Sequence, residues 1–343
     1  MEHVGIVGAG VAGCAAAYAL RGADTTVTVF EAGSRVGGRA ATRHRGEITY
    51  DYGANYVKDD DPSVVALLTD TLPTDGLVEA AGPIWTFDRE GTVTEGRPSD
   101  AHKWTYRAGI GVVADRLLAA GDATVELETA VDHLSRSDDG WHLRDEDGVV
   151  HQPFDALVLT PPAPRTAELV ARADWTSETR PSLAAAIDAV PYRSIWSAVL
   201  GYEFALDVPY YALVNPAKDH AIGWISREEC KPGHVPPGHS VLVVQANHDW
   251  SVDQADTRPA DAVAELAGRT AEVIDEDRLA EPTWTDHRLW HHALAERAVD
   301  PDALEDATAA GLYFAGDWIA GEGRVHAAIR SGLTVGDRIV DDR

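Results

Sequence analysis

The chain predicts an α/β fold: a doubly wound, Rossmann-like domain with a second, mixed α+β substrate domain. Three observations carry this reading. Gly8-Ala9-Gly10-Val11-Ala12-Gly13 stands between an apolar strand at 4–7 and a small-residue helix at 14–20. The next strand, "TTVTVFEAG", ends on an acid, Glu31, 18 residues after Gly13. Near the far end, "LYFAGD" (312–317) runs a short apolar strand into Gly316-Asp317, and "GRVHAAIRSGL" then opens another helix.

Each residue of the first bend has a physical task. Gly8 allows the tight turn, and Gly10 lets the backbone approach a pyrophosphate. Gly13 lets the helix pack close to the strand. Val11 and Ala12 lie within the bend ahead of the helix, whose free N–H groups and positive dipole suit phosphates. Glu31, followed by Ala32, can accept hydrogen bonds from a ribose diol. A third Gly-rich stretch, "GIGVVA" (109–114), follows no apolar strand and reads as a plain helix start.

Between 123 and 164 the pattern is strand, turn, strand, turn, strand, with Asp138-Asp139-Gly140 and Asp145-Glu146-Asp147-Gly148 as turns. Residues 166–281 hold β-rich runs such as "SIWSAVLGYEF", "HAIGWIS" and "SVLVVQANHDW", and the amphipathic helix "PADAVAELAGRTAEVI". The first domain is therefore expected over 1–75, 105–165 and 282–343. The second is expected over 76–104 and 166–281, its sheet roofing the site.

Composition bounds the partners. Fifty-six acidic residues oppose 29 basic ones, for a net charge of −27. The acids are scattered in pairs and triplets, which describes a solvated acidic skin over an ordinary core. We read that skin as halophilic, an adaptation to a salt-rich cytoplasm where self-repulsion is screened. It argues against nucleic acid and anionic membranes as partners. No apolar run reaches the roughly 18–20 residues of a membrane span. Cys14 and Cys230 are the only cysteines, which fits a reducing, cytoplasmic setting. No His, Cys and Asp set has metal-ligand spacing, so no metal is expected.

"EAGSRVGGRAATR" adds Gly37-Gly38-Arg39 after the ribose acid, and "YDYGANYV" (50–57) follows. Together they resemble the extended motif of FAD oxidoreductases of the amine-oxidase type, on a glutathione-reductase-like dinucleotide fold. The resemblance implies non-covalent FAD. Gly38 and Arg39 would position its phosphates, and Gly53, Ala54, Asn55 and Tyr56 would pass beside the flavin. Val131 would lie near the adenine, with Thr160 at the end of a strand returning to the cofactor. Gly316 and Asp317 would hold the ribityl end. Arg324, Val325 and His326 would meet the flavin edge, where a helix N-terminus favours negative charge.

The whole chain resembles renalase-type flavoproteins, on "VTVFEAGSRVGGRAATR", "DYGANYV", "VPYRSIWSAVLGYE", "CKPG", "VVQANHDWS", "HRLWHHAL" and "FAGDWIAGEGRVHAAIRSGL". His326 departs from the glutamate common in bacterial relatives. The resemblance implies hydride transfer from 2- or 6-dihydro isomers of NAD(P)H to flavin N5, with O2 as acceptor and H2O2 released. Tyr56, Gln245, His248 and Trp284 are the candidate positioning residues, with Trp224 and Trp250 nearby; Trp290 and His291 could cover the flavin. Three alternatives stay open: a flavin amine oxidase, an isoprenoid desaturase, and an FAD-bound sensor or scaffold without turnover. Lys218 and Lys231 both sit in loop-like segments, so neither reads as a flavin-side lysine. Monomer and homodimer are both compatible with the sequence.

The charge reading has a direct test. The thermal midpoint should fall as KCl is lowered from molar to dilute, and a constant midpoint would discard a salt requirement.

Overall fold

The computed structural model describes residues 2–97, 99–151 and 153–342. Five parallel strands form its base, in the order Thr124–Glu126, Thr25–Phe30, Glu2–Val7, Ala156–Leu159, Leu312–Phe314. The central strands are nearly continuous apolar runs because helices cover both faces. All four residues of Ala156–Leu159 are buried.

One face is covered by helix Val11–Ala19, made almost wholly of small residues, and by helix Val325–Asp341. Small residues let the two backbones touch. A Cβ on Gly332 would stand 2.1 Å from the Ala12 carbonyl oxygen. Val4, Ile6, Ile329 and Val335 share the core there, each contributing about 1.5–3 kcal/mol by burial. The other face carries helices Ala163–Arg172 and Arg180–Asp188, whose Leu169, Val170, Leu183 and Ile187 pack with Leu157, Leu159 and Phe314.

Above the base lies a seven-stranded sheet, ordered Trp284–Ala295, Tyr192–Tyr202, Ser240–Ala246, Ile222–Arg227, Ala212–Val214, Ile84–Phe87, Val93–Thr94. Helix Pro259–Ile274 covers its outer face with Val263, Leu266 and Ala267 against Ala198, Leu200 and Val244. Its inner face looks down on the base.

Several expectations change. Trp284–Ala295 pairs with Tyr192–Tyr202 along most of its length, so 284–295 belongs to the roof sheet rather than to the base. Helices Ala163–Arg172 and Arg180–Asp188 belong with the base core, because their apolar faces meet Leu159 and Phe314. Leu77–Glu79 and Lys103–Tyr106 pair in a small sheet with Val57–Lys58, and Leu77, Trp104 and Tyr106 also join the base core. In the 123–164 stretch only Val131–Ser137 and Gly140–Asp145 pair as a hairpin; the outer two strands enter the parallel sheet. "GIGVVA" does lead into a helix, Val112–Ala119, but after the strand Lys103–Tyr106.

A buried charge cluster joins roof to base. Lys231 Nζ lies 2.9 Å from Asp51 Oδ2 and 2.8 Å from Glu228 Oε1, and all three side chains are fully buried. Asp51 Oδ1 accepts from Thr42 Oγ1 and from the Ile110 amide. Glu228 Oε2 accepts from the Asp51 amide and faces His234 Nδ1 at 3.0 Å, while His234 Nε2 faces the Tyr106 carbonyl. Both imidazole nitrogens thus meet protein oxygens. Lys231 offsets the two buried carboxylates in part. Lys231 does sit in a loop, yet it is a structural cation beneath the roof rather than an exposed one.

Burial raises the Asp51 carboxyl, but Lys231 and His234 outweigh it and hold it below the usual range. Burial likewise opposes the Lys231 ammonium, and Asp51 and Glu228 outweigh that, raising it above its ordinary value. The depressed carboxyl stabilises the fold above its unfolded pKa, and this is lost as pH falls. The raised ammonium stabilises it below its unfolded pKa, and this is lost as pH rises through the folded value. Lys231→Met should therefore cost about 3–5 kcal/mol by urea unfolding at neutral pH. The gap from wild type should narrow below about pH 4 and above about pH 10. A variant with an unchanged midpoint would remove the cluster's structural role.

Candidate functional site: a cradle between base and roof

One cavity of about 1660 Å³ lies between base and roof. Typical single-ligand pockets hold about 300–1,000 Å³, so this one has room for a long cofactor and a substrate together. Its floor is the first bend: Gly8, Gly10, Val11 and Ala12, with Glu31, Ala32 and Gly33 beside them. The wall continues through Gly37–Ala41 and Gly53–Tyr56 to Arg324, Val325 and His326, under a roof of Ile195, Trp224, Gln245, Leu289 and Trp290.

The glycines define the cradle. A Cβ on Gly10 would meet no protein atom within 4 Å, so that position opens onto the cavity. A Cβ on Gly13 would lie 2.0 Å from the Gly8 carbonyl oxygen, so the helix could not approach the strand. Gly13 itself does not line the cavity; it sets the packing behind it. Thr160 Oγ1 reaches the Val7 and Gly8 carbonyls at 2.8 and 3.0 Å and pins the turn. No side chain caps helix Val11–Ala19 or helix Val325–Asp341. Their first-turn N–H groups, lacking intrahelical acceptors, are available to an anion.

Glu31 and Val131 also line this end. Glu31 already accepts from the Ala9 and Gly33 amides at 2.8 Å each, which fixes its carboxylate at the cavity wall. The Val131 carbonyl accepts from Arg165.

Arg39 and Asp317 meet in a two-pronged ion pair, at 2.7 and 2.8 Å, across 278 residues. Arg39 also donates to the carbonyls of His292 and Ala293. Burial disfavours the guanidinium charge, but Asp317 outweighs it and raises Arg39 above its usual value. Both residues line the cavity. Their polar atoms, however, hold each other, so the pair acts as a clamp between the two bends and offers few free contacts to phosphate or ribityl groups.

The roof fixes the Gly53–Tyr56 segment. Gln245 Nε2 donates to the Gly53 carbonyl at 2.7 Å, and Ser226 Oγ donates to Asn55 Oδ1 at 3.0 Å. Ser226 had no signal in the sequence; only the strand pairing places it over Asn55. Tyr56 packs against Tyr211 and Trp224. Burial raises the Tyr56 phenol above its usual value, against the opposing pull of Arg324.

His248 and Trp284 are not part of this wall. His248 begins helix His248–Asp253, and its Nδ1 accepts the Ser194 amide. Trp284 lies on the inner face of the roof, but lower down its strand, against Tyr50, Val199, Val241 and Val243. Trp250 is also elsewhere, donating to Glu265. Trp290 and His291 do line the cavity, and Trp290 stacks on Tyr52 and donates to its carbonyl.

His326 is buried, and its Nε2 stands 3.6 Å from Glu322 Oε2. With Asp60 these groups bring ligand-type atoms within 4.8 Å of one another. Lys58 already neutralises Asp60 at 2.6 Å.

The lining carries seven cationic side chains (Arg35, Arg39, Arg43, Lys58, Arg165, Arg288 and Arg324) against five carboxylates (Glu31, Asp60, Glu146, Asp317 and Glu322). Asp286 and Glu168, outside the lining, pair with Arg43 and Arg165, so the wall is close to neutral in a chain of net charge −27, and its unpaired cations are Arg35, Arg288 and Arg324. Burial, then the neighbouring His291 and Arg39, hold His292 below its usual value at the same rim.

Comparison with known proteins agrees with this geometry. Residues 6–71 match the NAD(P)-binding Rossmann-like domain, and residues 79–340 match the flavin containing amine oxidoreductase family. Among curated proteins, the chain is 45% identical over 69 residues to protoporphyrinogen oxidase 2, chloroplastic/mitochondrial, of Arabidopsis thaliana. That match covers 20% of this chain and 14% of the plant protein. It is 58% identical over 43 residues to an L-amino-acid oxidase of Naja atra, covering 12% and 8%. Among solved structures, cyclohexylamine oxidase from Brevibacterium oxydans superposes with a TM-score of 0.76 at 16% identity, over 99% of both chains. Putrescine oxidase bound to putrescine gives 0.74 at 15%, also over 99% of both. These structural likenesses show the shared fold. FAD is the cofactor that the family and the two uncapped helix ends both fit.

Gly10→Val should give folded but colourless protein, with a flavin-to-protein ratio near zero, because its side chain would fill the open floor. Retention of full FAD content in that variant would overturn the floor assignment.

Proposed function

Because the chain belongs to the family of flavin-containing amine oxidoreductases, we propose that it is an FAD-dependent oxidase of the renalase type. Its substrate would be a dihydronicotinamide dinucleotide, a 2- or 6-dihydro isomer of NAD(P)H. The observation that carries this reading is the set of unpaired arginines, Arg35, Arg288 and Arg324, in the cavity wall of an otherwise strongly acidic chain. A dinucleotide brings a dianionic pyrophosphate, which such a wall attracts; an alkylammonium substrate would be repelled by the same groups.

When bound, FAD supplies a two-electron acceptor: the dihydropyridine gives up a hydride and becomes aromatic NAD(P)+, and O2 takes the electron pair with two protons as H2O2. The side chains need only bind and orient a ring that is already a good hydride donor. Tyr56 and Trp224 offer flat walls at the roofed end. The raised Tyr56 phenol stays protonated at neutral pH and serves as a donor. Gln245 spends its NH2 group on Gly53 and keeps its carbonyl free for a carboxamide. Roof strands Tyr192–Tyr202 and Ser240–Ala246 exclude water above them.

The test is anaerobic mixing of the FAD-loaded protein with 6-dihydro-NAD, with ordinary β-NADH and with putrescine or cyclohexylamine, followed by flavin bleaching. Fast bleaching by the dihydro isomer alone is expected. Bleaching by an amine and by neither nucleotide would replace this reading with amine oxidation.

A further inference from the structure

The roof presents a row of side chains across its strands. Register pairs Arg288 with Ser197, Ser197 with Gln245, and Gln245 with Trp224. Directly paired residues in neighbouring strands point to the same face, so all four point down toward the base. Gln245 and Trp224 sit over the roofed end of the cavity, and Arg288 sits on Trp284–Ala295, the edge strand. Two strand spacings, about 10 Å, separate Arg288 from Gln245.

Four lining residues are layered at that edge. The Arg43 guanidinium lies 4.2 Å from the Tyr52 ring centre, Tyr52 stacks on Trp290 at 5.5 Å, and the Arg288 guanidinium lies 5.3 Å from the Trp290 ring. The two arginines differ in what else they hold. Arg43 is committed to Asp286 by two hydrogen bonds. Arg288, exposed at the cavity mouth, has no carboxylate partner among the described residues and keeps its planar fork free. In a chain of net charge −27, an unneutralised, exposed guanidinium held at the end of such a layer is suited to a phosphate, with the attached base or sugar continuing the layer beyond it.

We infer that Arg288 and the Trp290–Tyr52 layer form a subsite for the pyrophosphate and adenosine portion of the dinucleotide substrate. This rests on the dinucleotide reading above. The dihydropyridine lies toward Gln245, Tyr56 and Trp224, and the ribose and first phosphates span the interval to Arg288. The FAD adenosine is held at the opposite end, by the Glu31 and Val131 wall. The two adenosines thus have separate places, which accounts for a cavity larger than one ligand needs.

The experiment compares 6-dihydro-NAD with 6-dihydro-nicotinamide mononucleotide on FAD-loaded wild type, Arg288→Gln and Arg288→Lys. Wild type should prefer the dinucleotide in kcat/KM. Arg288→Gln should lose about tenfold of that preference, with a flatter dependence on KCl, and Arg288→Lys should recover part of it. Calorimetry with ADP-ribose should show binding about tenfold weaker in Arg288→Gln, independently of turnover. Equal ADP-ribose affinity in wild type and Arg288→Gln, or no dinucleotide preference in wild type, would overturn the subsite. If neither dihydro compound bleaches the flavin, the substrate reading fails, whereas the subsite fails only if the ADP-ribose affinities also agree.

Discussion

The Arg39–Asp317 pair joins two Gly-rich bends that lie at opposite ends of the chain. Neither bend alone encloses a dinucleotide cofactor. The first offers a floor and one helix N-terminus, and the second offers another helix N-terminus beyond the reach of the first. Pairing a guanidinium from one bend with a carboxylate from the other sets their separation. The two-pronged geometry also resists rotation, which a single contact would allow. The same arginine grips the carbonyls of His292 and Ala293, so the edge strand of the roof is referenced to the same point. Floor, far wall and roof edge therefore share one anchor.

A second constraint sets the height of the roof. Asp51 ends strand Ile48–Asp51 of a separate two-stranded sheet, and Lys231, Glu228 and His234 come from the connection between roof strands Ile222–Arg227 and Ser240–Ala246. Four fully buried ionisable groups are costly to desolvate, and they persist only where each has its partners. Any displacement of the roof would leave at least one charge unmatched. Gln245 and Ser226 add shorter-range ties to Gly53 and Asn55. The gap above the Gly53–Tyr56 segment is thus fixed by polar contacts whose geometry is directional, while the apolar packing outside it is tolerant.

What the sequence revealed follows the range of the interaction. The Gly8–Gly13 turn, its helix and the Gly316 turn were legible because glycine requirements are local. Helix Pro259–Ile274 was legible through its period. Arg39 and Asp317 were both singled out, but their mutual contact was not, since nothing local links residues 278 positions apart. Trp284 was named as a positioning residue, but it lies away from the cavity lining, because its place along the strand depends on register with Tyr192–Tyr202. Lys231 read as an ordinary loop lysine because the loop's burial depends on Asp51 from another layer. His248 lost its place because "NHDW" turns into helix His248–Asp253 just after the strand ends.

Net charge and local charge answer different questions in this molecule. The acidic residues are spread over the surface, where salt screens them. The cavity concentrates seven of the 29 basic residues in its wall, and low-dielectric surroundings weaken the screening there. Some of that positive charge is spent internally, on Asp317, Asp286 and Asp60. Arg165 is paired with Glu168 as well, and what is left over is found at Arg35, Arg288 and Arg324. A ligand entering from solvent is therefore repelled by most of the protein and attracted by one mouth. That contrast favours anions before any specific hydrogen bond forms.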